Sequence, residues 1–316
     1  MRFVVAGAGA VGSVFGGLLA GRGHDVLLVG REPHMAAIRE SGLAVTGLFG
    51  DQVTRPRVAT DLARAAEPTD AVLVGVKSHA TESIARTLAA WADRPRLVVS
   101  LQNGLGNVET LAASLPARVL AARVIFGAIV TAPGRAHVTV CAKPVAVGPL
   151  RDDPASEADA QRLAEVFADA GIPSEAAGAT EPILWEKALY NCGLNPLGAL
   201  HGLTYGEVAA SEALRPLLDG AMDEAFAVAR ASGIALVWKT EAEFRVHFHS
   251  TLLPPTAAHR SSMRQDLEGG RPTEVDAIGG AIVRAGERHG VPTPINRRLV
   301  AEIHEAERKG SRSEPA

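Results

Sequence analysis

Residues 3–12 of the chain read FVVAGAGAVG, an apolar run that passes directly into a glycine-rich turn. The run Phe3–Ala6 is short and continuous, as in a strand buried on both faces, and a helical sequence, Ala10–Gly21, follows the turn. A strand, a turn with the spacing Gly-x-Gly-x-x-Gly and a helix form the fingerprint of a dinucleotide-binding βα unit. These ten residues therefore predict an α/β fold for the first part of the chain.

Each position of this turn has a physical reason. Gly7 permits the tight turn, Gly9 lets the backbone approach a pyrophosphate, and Gly12 allows the helix to pack closely on the strand. The helix begins at Ala10 and Val11, and its N-terminus offers N–H groups to the phosphates. A glycine-rich turn can also serve packing alone. The agreement of strand, turn and helix favours a cofactor site at these five residues.

The alternation of strands and helices continues along the first half of the chain. Continuous apolar strands with helices between them indicate a parallel sheet covered on both faces. The predicted strands are Val26–Val29, Ala71–Val76 and Leu97–Ser100, and the predicted helices are Pro33–Ser41, Thr81–Ala90 and Gly106–Leu115. From Val119 to Val147, successive strands with a Pro133-Gly134 turn predict an antiparallel extension of the same sheet. The helix Ala155–Ala170 follows a cap at Asp152-Asp153-Pro154.

The strand pattern disappears after Gly178. The predicted helices beyond it are Glu181–Leu200, Leu214–Ser232, Thr240–Leu252, Ser262–Leu267, Glu274–His289 and Asn296–Lys309, and the polar tail Ser311 to Ala316 is expected to fray. With the boundary near Ala177–Thr180, the domains are residues 1–178 and 179–316. The predicted fold class is an α/β Rossmann domain with an antiparallel extension, plus a C-terminal all-α domain.

Composition excludes several functional classes. The 316 residues include 32 Lys and Arg against 35 Asp and Glu, and a net charge of −3 gives no general reason to bind nucleic acid or an acidic membrane. The longest apolar stretch, Val119 to Pro133, is too short to span a bilayer and contains Arg123. Cys141 and Cys192 stand far apart, so neither a disulfide framework nor a metal site is expected. With no room for a signal peptide before Phe3, we expect a cytoplasmic protein.

The end of the second strand distinguishes NAD from NADP. An NAD-binding unit usually places Asp or Glu there, where the carboxylate binds the ribose 2′-hydroxyl. Here the strand ends with Val29-Gly30-Arg31-Glu32, and the Arg31 guanidinium can form a bidentate pair with a 2′-phosphate. Two alternatives stay open, since Arg31 could be a solvated loop cation and Glu32 could still reach the ribose. The pattern favours NADP.

Two polar residues follow neighbouring strands of the predicted sheet. Lys77 ends the strand Ala71–Val76, and Asn103 lies just beyond Leu97–Ser100. The carboxyl ends of strands in an open α/β sheet line the ligand crevice. Lys77 could therefore meet a phosphate or a carboxylate, and Asn103 could hydrogen-bond the cofactor or the substrate. Each alone is equally compatible with ordinary surface chemistry, but together they favour a site.

The most informative stretch of the second half is WEKALYNCGLNPL, residues 185–197. Lys187, Asn191 and Asn195 are spaced i, i+4 and i+8, which places them on one helical face. Two amides and one lysine suit a buried polar cleft better than a solvated face, and desolvation could lower the lysine pKa toward a useful general-acid range. The alternative is a lysine exposed at a domain edge.

Two further segments open helices in the predicted pattern. Ser262 is a candidate N-cap, and Thr273 with Asp276 resembles a capping box in which Glu274 is favourable beside the helix dipole. Sequence pattern alone would not make these residues functional.

Taken together, these residues resemble one family, the ketopantoate reductases (2-dehydropantoate 2-reductases). The resemblance covers nearly the whole chain in the same order and at similar spacing. The matching segments are the Gly7–Gly12 turn, Arg31, Val76-Lys77, Asn103-Gly104, the Lys187/Asn191/Asn195-Pro196 helix, Ser261-Ser262-Met263-x-Gln265-Asp266 and Thr273-Glu274-Val275-Asp276.

The resemblance implies that NADPH and a 2-oxo acid meet between a Rossmann domain and a helical domain. Lys187 would be the acid that protonates the ketone oxygen, and Glu274 would hydrogen-bond the substrate, help to position Lys187 and lie among the cofactor-binding residues. Asn103 would lie near both ligands. The remaining substrate-binding residues would be Asn191, Asn195 and Ser262.

One position departs from the family. A further substrate-binding asparagine is common beyond the Asn195-Pro196 turn, and here Tyr205 stands near that position. The leading hypothesis is reduction of ketopantoate to pantoate, and the alternatives are a paralogue that reduces another 2-oxo acid and a non-catalytic NADP-sensing regulator. A homodimer is a further possibility, while no nucleic-acid or membrane partner is expected.

Overall fold

The structure is a computed structural model that describes residues 1–310. The polar tail Ser311 to Ala316, expected to fray, lies outside these residues. The chain divides into two units, the first comprising Met1–Thr180 and the second beginning at Glu181.

An eight-stranded sheet forms the centre of the first unit. Its strand order is β12-β11-β8-β7-β6-β1-β2-β5, and the six strands from β8 to β5 are parallel. The strands are β1 Arg2–Ala6, β2 Asp25–Val29, β5 Arg57–Ala59, β6 Ala71–Val74, β7 Leu97–Ser100, β8 Arg118–Arg123, β11 Val145–Pro149 and β12 Ser174–Ala176. From β1 the chain first adds β2 and β5 on one side and then β6, β7 and β8 on the other, so the strand order reverses between β1 and β6. Open α/β sheets form a ligand crevice at this position, at the carboxyl ends of their strands.

Helices cover both faces of this sheet, because its apolar strands must be shielded from water on each side. One core joins Phe3 to Phe15 and Phe167, and the opposite core joins Val4 to Leu88 and Trp91. The helices are α1 Ala10–Gly21, α2 His34–Ser41, α3 Thr81–Ala89, α4 Asn107–Ser114 and α5 Pro154–Asp169. Together with the helical second unit, this arrangement confirms the predicted fold class.

The predicted antiparallel extension of the main sheet is confirmed only in part. Strand β11 pairs antiparallel with β8 as predicted, but the hairpin around Pro133-Gly134 leaves the main sheet. It joins a second sheet of order β4-β3-β10-β9, formed by β3 Leu43–Gly47, β4 Gln52–Thr54, β9 Phe126–Ala132 and β10 Arg135–Cys141. Strand β10 buries only one face, through Ala136 and Val138. This pattern is typical of an antiparallel sheet that is covered on one side, and it suits the second sheet better than the main sheet, which is covered on both faces. The short strands β3, β4, β5 and β12 were not predicted.

Close packing of α1 on β1 explains two of the glycines in the turn. A β-carbon at Gly12 would overlap the carbonyl oxygen of Gly7, and it would lie 3.2 Å from Val5 Cγ1. Gly7 has a φ of +108°, a backbone conformation that glycine adopts readily. At Gly9, by contrast, a β-carbon would meet no atom within 4 Å. Gly12 and Gly7 are therefore required by packing and backbone geometry, and Gly9 is not.

The second unit is helical. Helix α6 packs closely on α8, because a β-carbon at Gly193 would lie only 2.8 Å from Leu218 Cδ1. The helices are α6 Glu181–His201, α7 Tyr205–Ala210, α8 Arg215–Ala231, α9 Glu241–His247, α10 Ser262–Glu268, α11 Gly279–His289 and α12 Pro294–Gly310. Helix α7 was not predicted, and the predicted helix Thr240–Leu252 changes at Phe248 into a π-helical turn. Among residues 1–310, no helix combines the length and apolar character of a bilayer span.

The predicted helix Glu274–His289 is wrong at its start. Residues 274–278 form turns, with the N–H groups of Ala277 and Ile278 both donating to Glu274 O, and the helix begins at Gly279. The predicted capping box is wrong too, because the Thr273 hydroxyl accepts from Val275 N and the Asp276 carboxylate contacts His304. Tertiary hydrogen bonds of this segment outweigh its local helix signal.

Two glycine substitutions test which glycines of the turn are required for packing. We expect Gly12→Ala to lower the free energy of unfolding by about 3 kcal/mol or more, since the methyl group would overlap backbone. Gly9→Ala is the matched control and should leave stability within about 1 kcal/mol of the wild type. Urea denaturation followed by circular dichroism measures both, and equal stability of the two variants would contradict this assignment.

Candidate active site

The glycine-rich turn lies at the carboxyl end of β1. The N–H groups of Gly7 and Ala8 both donate to Val29 O, at 3.0 and 2.9 Å, which fixes the turn against the end of β2. Helix α1 follows at Ala10, with Gly9 as its N-cap. The first N–H groups of a helix have no intrahelical partner, so this end of α1 presents donors and a partial positive charge to an anion.

The loop after β2 separates the roles of Arg31 and Glu32. The Glu32 carboxylate accepts from Ala36 N at 2.7 Å and lies 3.6 Å from the Arg39 guanidinium, so it caps α2. Arg31 is exposed, and its guanidinium has no ion-pair or hydrogen-bond partner among residues 1–310. Of these two neighbours, only Arg31 has its charge available for a ligand.

His34 connects three parts of the first unit, a role that sequence analysis missed. Its Nδ1 accepts from Gly134 N at 3.0 Å, and its Nε2 lies 3.0 Å from the Ser13 hydroxyl. Because Nδ1 accepts, Nε2 carries the proton and donates to Ser13. Burial lowers the His34 pKa, which favours this neutral form. The ring therefore ties α2 to α1 and to the β9–β10 turn, and no local sequence signal marks it.

A polar network holds the loops after β6 and β7, which carry Lys77 and Asn103. Gln102 Nε2 donates to Val76 O at 3.0 Å and to the Thr81 hydroxyl at 2.8 Å. Asn107 Nδ2 in turn donates to the backbone oxygen of Asn103 at 2.8 Å. The structure thus brings both loops together at the carboxyl edge of the sheet, as the order of the strands predicts.

Helix α6 carries the predicted polar face of the second unit. It spans Glu181–His201 in one piece, so Lys187, Asn191 and Asn195 do share a face. Lys187 is half-buried, whereas the asparagines are only 7% and 4% exposed. The Asn191 side chain has no hydrogen-bond partner among residues 1–310, although a buried amide normally has one. The Asn191 amide atoms are not among the fully enclosed unpaired polar atoms, so they remain accessible to a ligand.

Two residues near this face were not predicted to take part in it. The Tyr205 hydroxyl donates to Asn195 Oδ1 at 2.6 Å, and its ring meets that of His259 edge-on at a centroid distance of 5.1 Å. Burial lowers the His259 pKa, and the positive charge of Lys187 lowers it further. Both residues therefore belong to the surroundings of the α6 face. Tyr205 stood out in the sequence only as a departure from the family.

The N-cap of α10 is Ser261, which corrects the assignment to Ser262. The Ser261 hydroxyl accepts from Arg264 N at 3.1 Å and donates to Asn195 O at 3.3 Å. Ser262 is the first helical residue, half-buried, and its hydroxyl has no hydrogen-bond partner in the described part of the chain. The capping role thus belongs to one serine, which leaves the other available to a ligand.

Glu274 lies in the turn segment before α11 and is 7% exposed. Glu307 fixes the start of this segment by accepting from Thr273 N at 2.7 Å. His304 lies 3.0 Å from Glu307 and 3.0 Å from Asp276, so it bridges the segment to α12. Burial lowers the His304 pKa, but hydrogen bonds and charges from both carboxylates outweigh this and raise it.

Comparison with known proteins identifies the family. The profile "Ketopantoate reductase PanE/ApbA" matches residues 3–152, and "Ketopantoate reductase PanE/ApbA C terminal" matches residues 179–307. The chain belongs to the ketopantoate reductase family. It is therefore an oxidoreductase of an NAD(P)-dependent family, and the resemblance inferred from its motifs is confirmed.

Individual relatives agree over nearly the full length. A 2-dehydropantoate 2-reductase of Halobacterium salinarum is 36% identical over 313 residues, covering 98% of this chain and 100% of the relative. The crystal structure of a PanE/ApbA family ketopantoate reductase from Ralstonia eutropha JMP134 has a TM-score of 0.86 at 33% identity, covering 98% of this chain and 99% of that one. D-mandelate dehydrogenase with NADH and anilino(oxo)acetate has a TM-score of 0.88 at 25% identity, with the same coverage.

The predicted residues fall into two groups. Gly7, Gly9, Ala10, Val11, Gly12, Arg31, Lys77 and Asn103 lie at or near the carboxyl edge of the sheet, and Lys187, Asn191, Asn195, Ser262 and Glu274 lie in the helical unit. Among residues 1–310, no three His, Cys, Asp or Glu side chains are arranged to hold a metal ion. Cys192 is buried, and burial raises the pKa of its thiol, so it is a packing residue and not a nucleophile.

The bridge at His304 predicts a pH-dependent stability. The His304 pKa is raised in the folded state, so the protonated imidazole stabilises the fold. This contribution is fully present below the unfolded-state pKa of about 6.5 and is lost as pH rises through the folded-state pKa. His304→Gln should therefore lower Tm by about 2–3 °C at pH 5.5, as expected for a partly exposed ion pair, and by less at pH 9. Differential scanning calorimetry at both pH values measures this.

The exposed His79, in the short 3-10 turn before α3, provides the control, because its ring has no hydrogen-bond or ion-pair partner among residues 1–310. His79→Gln should leave Tm unchanged at either pH. A Tm difference for His304→Gln that is the same at pH 5.5 and pH 9 would contradict a charged bridge.

Proposed function

We propose that this protein is an NADPH-dependent 2-dehydropantoate 2-reductase, which reduces ketopantoate to pantoate in the biosynthesis of pantothenate and coenzyme A. The observation that carries the proposal is the α6 face, where two buried asparagines share one side of a helix with a lysine. The full-length relatives named 2-dehydropantoate 2-reductase support the same reaction.

The residues of the first unit fit a dinucleotide. The open side of Gly9 leaves room for a pyrophosphate, and the N-terminus of α1 supplies N–H donors from Ala10 and Val11. The preference for NADPH rests on the loop after β2, where Glu32 is engaged as a helix cap and Arg31 has no partner among residues 1–310. A free guanidinium suits a 2′-phosphate, while an engaged carboxylate is poorly suited to bind a ribose hydroxyl.

The chemistry is assigned to Lys187. A bound NADPH supplies the hydride that reduces the ketone carbon. As the hydride arrives, negative charge develops on the ketone oxygen, and the Lys187 ammonium both stabilises this charge and donates the proton. In this proposal Glu274 helps to position Lys187 and contacts the substrate and the cofactor.

The remaining residues hold the substrate. Asn191 and Asn195 provide amide N–H donors from within a nearly buried face, where a hydrogen bond to a carboxylate is strong. Ser262 adds a hydroxyl that α10 does not use for capping. Asn103 would contact both substrate and cofactor from a loop of the first unit, and Lys77 in the neighbouring loop would contact the cofactor.

Reduction of another 2-oxo acid is the second candidate. Tyr205 stands where the family often has an asparagine, and D-mandelate dehydrogenase, which is structurally similar, was solved with anilino(oxo)acetate. A purely NADP-sensing regulator would have no use for a general acid on α6. NADPH oxidation measured against a panel of 2-oxo acids distinguishes the three, because only the ketopantoate reductase should prefer 2-dehydropantoate and the regulator should oxidise no NADPH.

Two further properties belong to the proposal. We place the enzyme in the cytoplasm, where its thiols at Cys141 and Cys192 would stay unpaired as they are in the structure. A homodimer is the proposed assembly. Analytical ultracentrifugation of the purified protein tests the assembly directly.

Arg31→Ala should weaken NADPH binding by about ten- to a hundred-fold, because one charge-assisted hydrogen-bond pair to the 2′-phosphate is worth about 1.5–3 kcal/mol. NADH lacks this phosphate, so its affinity should change little. Fluorescence titration of both cofactors measures the effect. Arg64→Ala removes an exposed guanidinium elsewhere in the first unit and should leave NADPH binding unchanged, and equal losses of NADPH and NADH affinity in Arg31→Ala would refute the role.

Lys187→Ala should lower kcat for 2-dehydropantoate by about 10²–10⁴-fold, the usual contribution of a general acid, while the protein stays folded and binds NADPH. Lys77→Ala is the informative comparison, since Lys77 is the rival cation at the end of a strand. Steady-state NADPH oxidation gives kcat for both variants. The acid is misassigned if Lys187→Ala keeps a near-normal kcat and Lys77→Ala abolishes turnover.

A further inference from the structure

The hydrogen bond between Tyr205 and Asn195 determines which atoms of Asn195 remain for a ligand. The two side chains are nearly buried, with 8% and 4% of their surfaces exposed. The phenol oxygen lies 2.6 Å from Oδ1 of the amide. This distance is typical of an O–H···O bond and short for an N–H···O bond, so the phenol meets the oxygen of the amide and not its nitrogen.

The chemistry of the amide sets the direction of this hydrogen bond, because Asn195 Oδ1 carries no hydrogen and can only accept. Burial raises the pKa of Tyr205, so the phenol keeps the proton that it donates. The Asn195 Nδ2 group has no hydrogen-bond partner among residues 1–310, and it is not sealed from solvent as the fully enclosed polar atoms are. The amide therefore presents N–H donors, and not its oxygen, to the surroundings of the α6 face.

Tyr205 is itself held rigidly. Its backbone N–H donates to His259 O at 3.1 Å, its ring packs edge-on against His259, and Thr204 and Glu207 form a capping box at the start of α7. The segment that follows His259 reaches Ser261, whose hydroxyl donates to the backbone oxygen of Asn195. Asn195 is thus fixed at its backbone by Ser261 and at its side chain by Tyr205.

We propose that Tyr205 is a positioning residue that holds Asn195 as a pure N–H donor, so that this position recognises the carboxylate of a 2-oxo acid. The inference rests on the proposed function and adds to it. A carboxylate only accepts hydrogen bonds, and an amide free to rotate would present its oxygen to that carboxylate for part of the time. Fixing the amide removes the repulsive orientation before the substrate arrives.

The phenol acts through Asn195 and does not need to touch the substrate. Tyr205→Phe keeps the ring against His259 and the backbone hydrogen bonds but removes the donor. We expect KM for 2-dehydropantoate to rise by about ten-fold, the usual effect of losing one hydrogen bond, with kcat changed by less than about three-fold and NADPH affinity unchanged. If Tyr205 had only a structural role, Tyr205→Phe would lower Tm but would not raise KM selectively over kcat.

A double-mutant cycle tests the route through Asn195. Asn195→Ala removes the amide, so adding Tyr205→Phe to it should change KM by no more than about two-fold. Asn195→Asp keeps an acceptor for Tyr205 but turns an oxygen toward the substrate, and it should raise KM more than Asn195→Ala does. Thr240→Val is the matched control, because it removes the side-chain cap of a different helix, α9, and should lower Tm with KM unchanged.

The outcomes separate this inference from the function on which it rests. An active wild type with an unchanged KM in Tyr205→Phe overturns the role of Tyr205. A ten-fold effect that persists undiminished in the Asn195→Ala background also overturns it, because Tyr205 would then contact the substrate directly. A wild-type protein that reduces none of the 2-oxo acids overturns the proposed function and the inference with it.

Discussion

The close packing of α1 against the end of β1 is the constraint on which the first unit depends. Three glycines meet around one carbonyl: Gly12 touches the oxygen of Gly7, and a β-carbon at Gly75, just after β6, would lie 3.0 Å from that same oxygen. The contact lies where the strand order reverses between β1 and β6. The packing that closes the core therefore also directs the N-terminus of α1 into the crevice, so stability and phosphate recognition share a few backbone atoms.

In the second unit, the α6 face is polar and is not closed by tight packing. Asn191 and Asn195 are almost fully buried, yet they leave polar atoms without partners among residues 1–310. The unpaired atoms are not fully enclosed, so water can reach them, but a nearly buried polar face still costs stability relative to apolar packing. The helix tolerates this cost because its other face packs on α8 through Gly193. Local violations of packing rules of this kind are expected where a ligand completes the structure.

Sequence patterns predicted what depends on local periodicity and missed what depends on contacts distant in the chain. The first βα unit and the shared face of Lys187, Asn191 and Asn195 follow from spacing along one strand or helix. The β9–β10 hairpin was placed in the wrong sheet, because its parallel partner β3 lies about ninety residues earlier. The helix start at Glu274 was wrong because His304 and Glu307 hold that segment from α12. The hydrogen bond of Tyr205 likewise joins two helices and leaves no periodic signal.

Each unit is a single uninterrupted stretch of chain, and the chain goes from one to the other once, a passage at Thr180–Glu181. The residues proposed to select the cofactor all lie before this passage, except Glu274, and those proposed to hold the substrate all lie after it, except Asn103. Under this proposal, preference for a nucleotide and preference for an acid would be encoded in largely separate parts of the gene. Natural variation or recombination could alter one with little effect on the other, which is a route by which one ancestral scaffold can give rise to reductases that pair either nicotinamide cofactor with different acids.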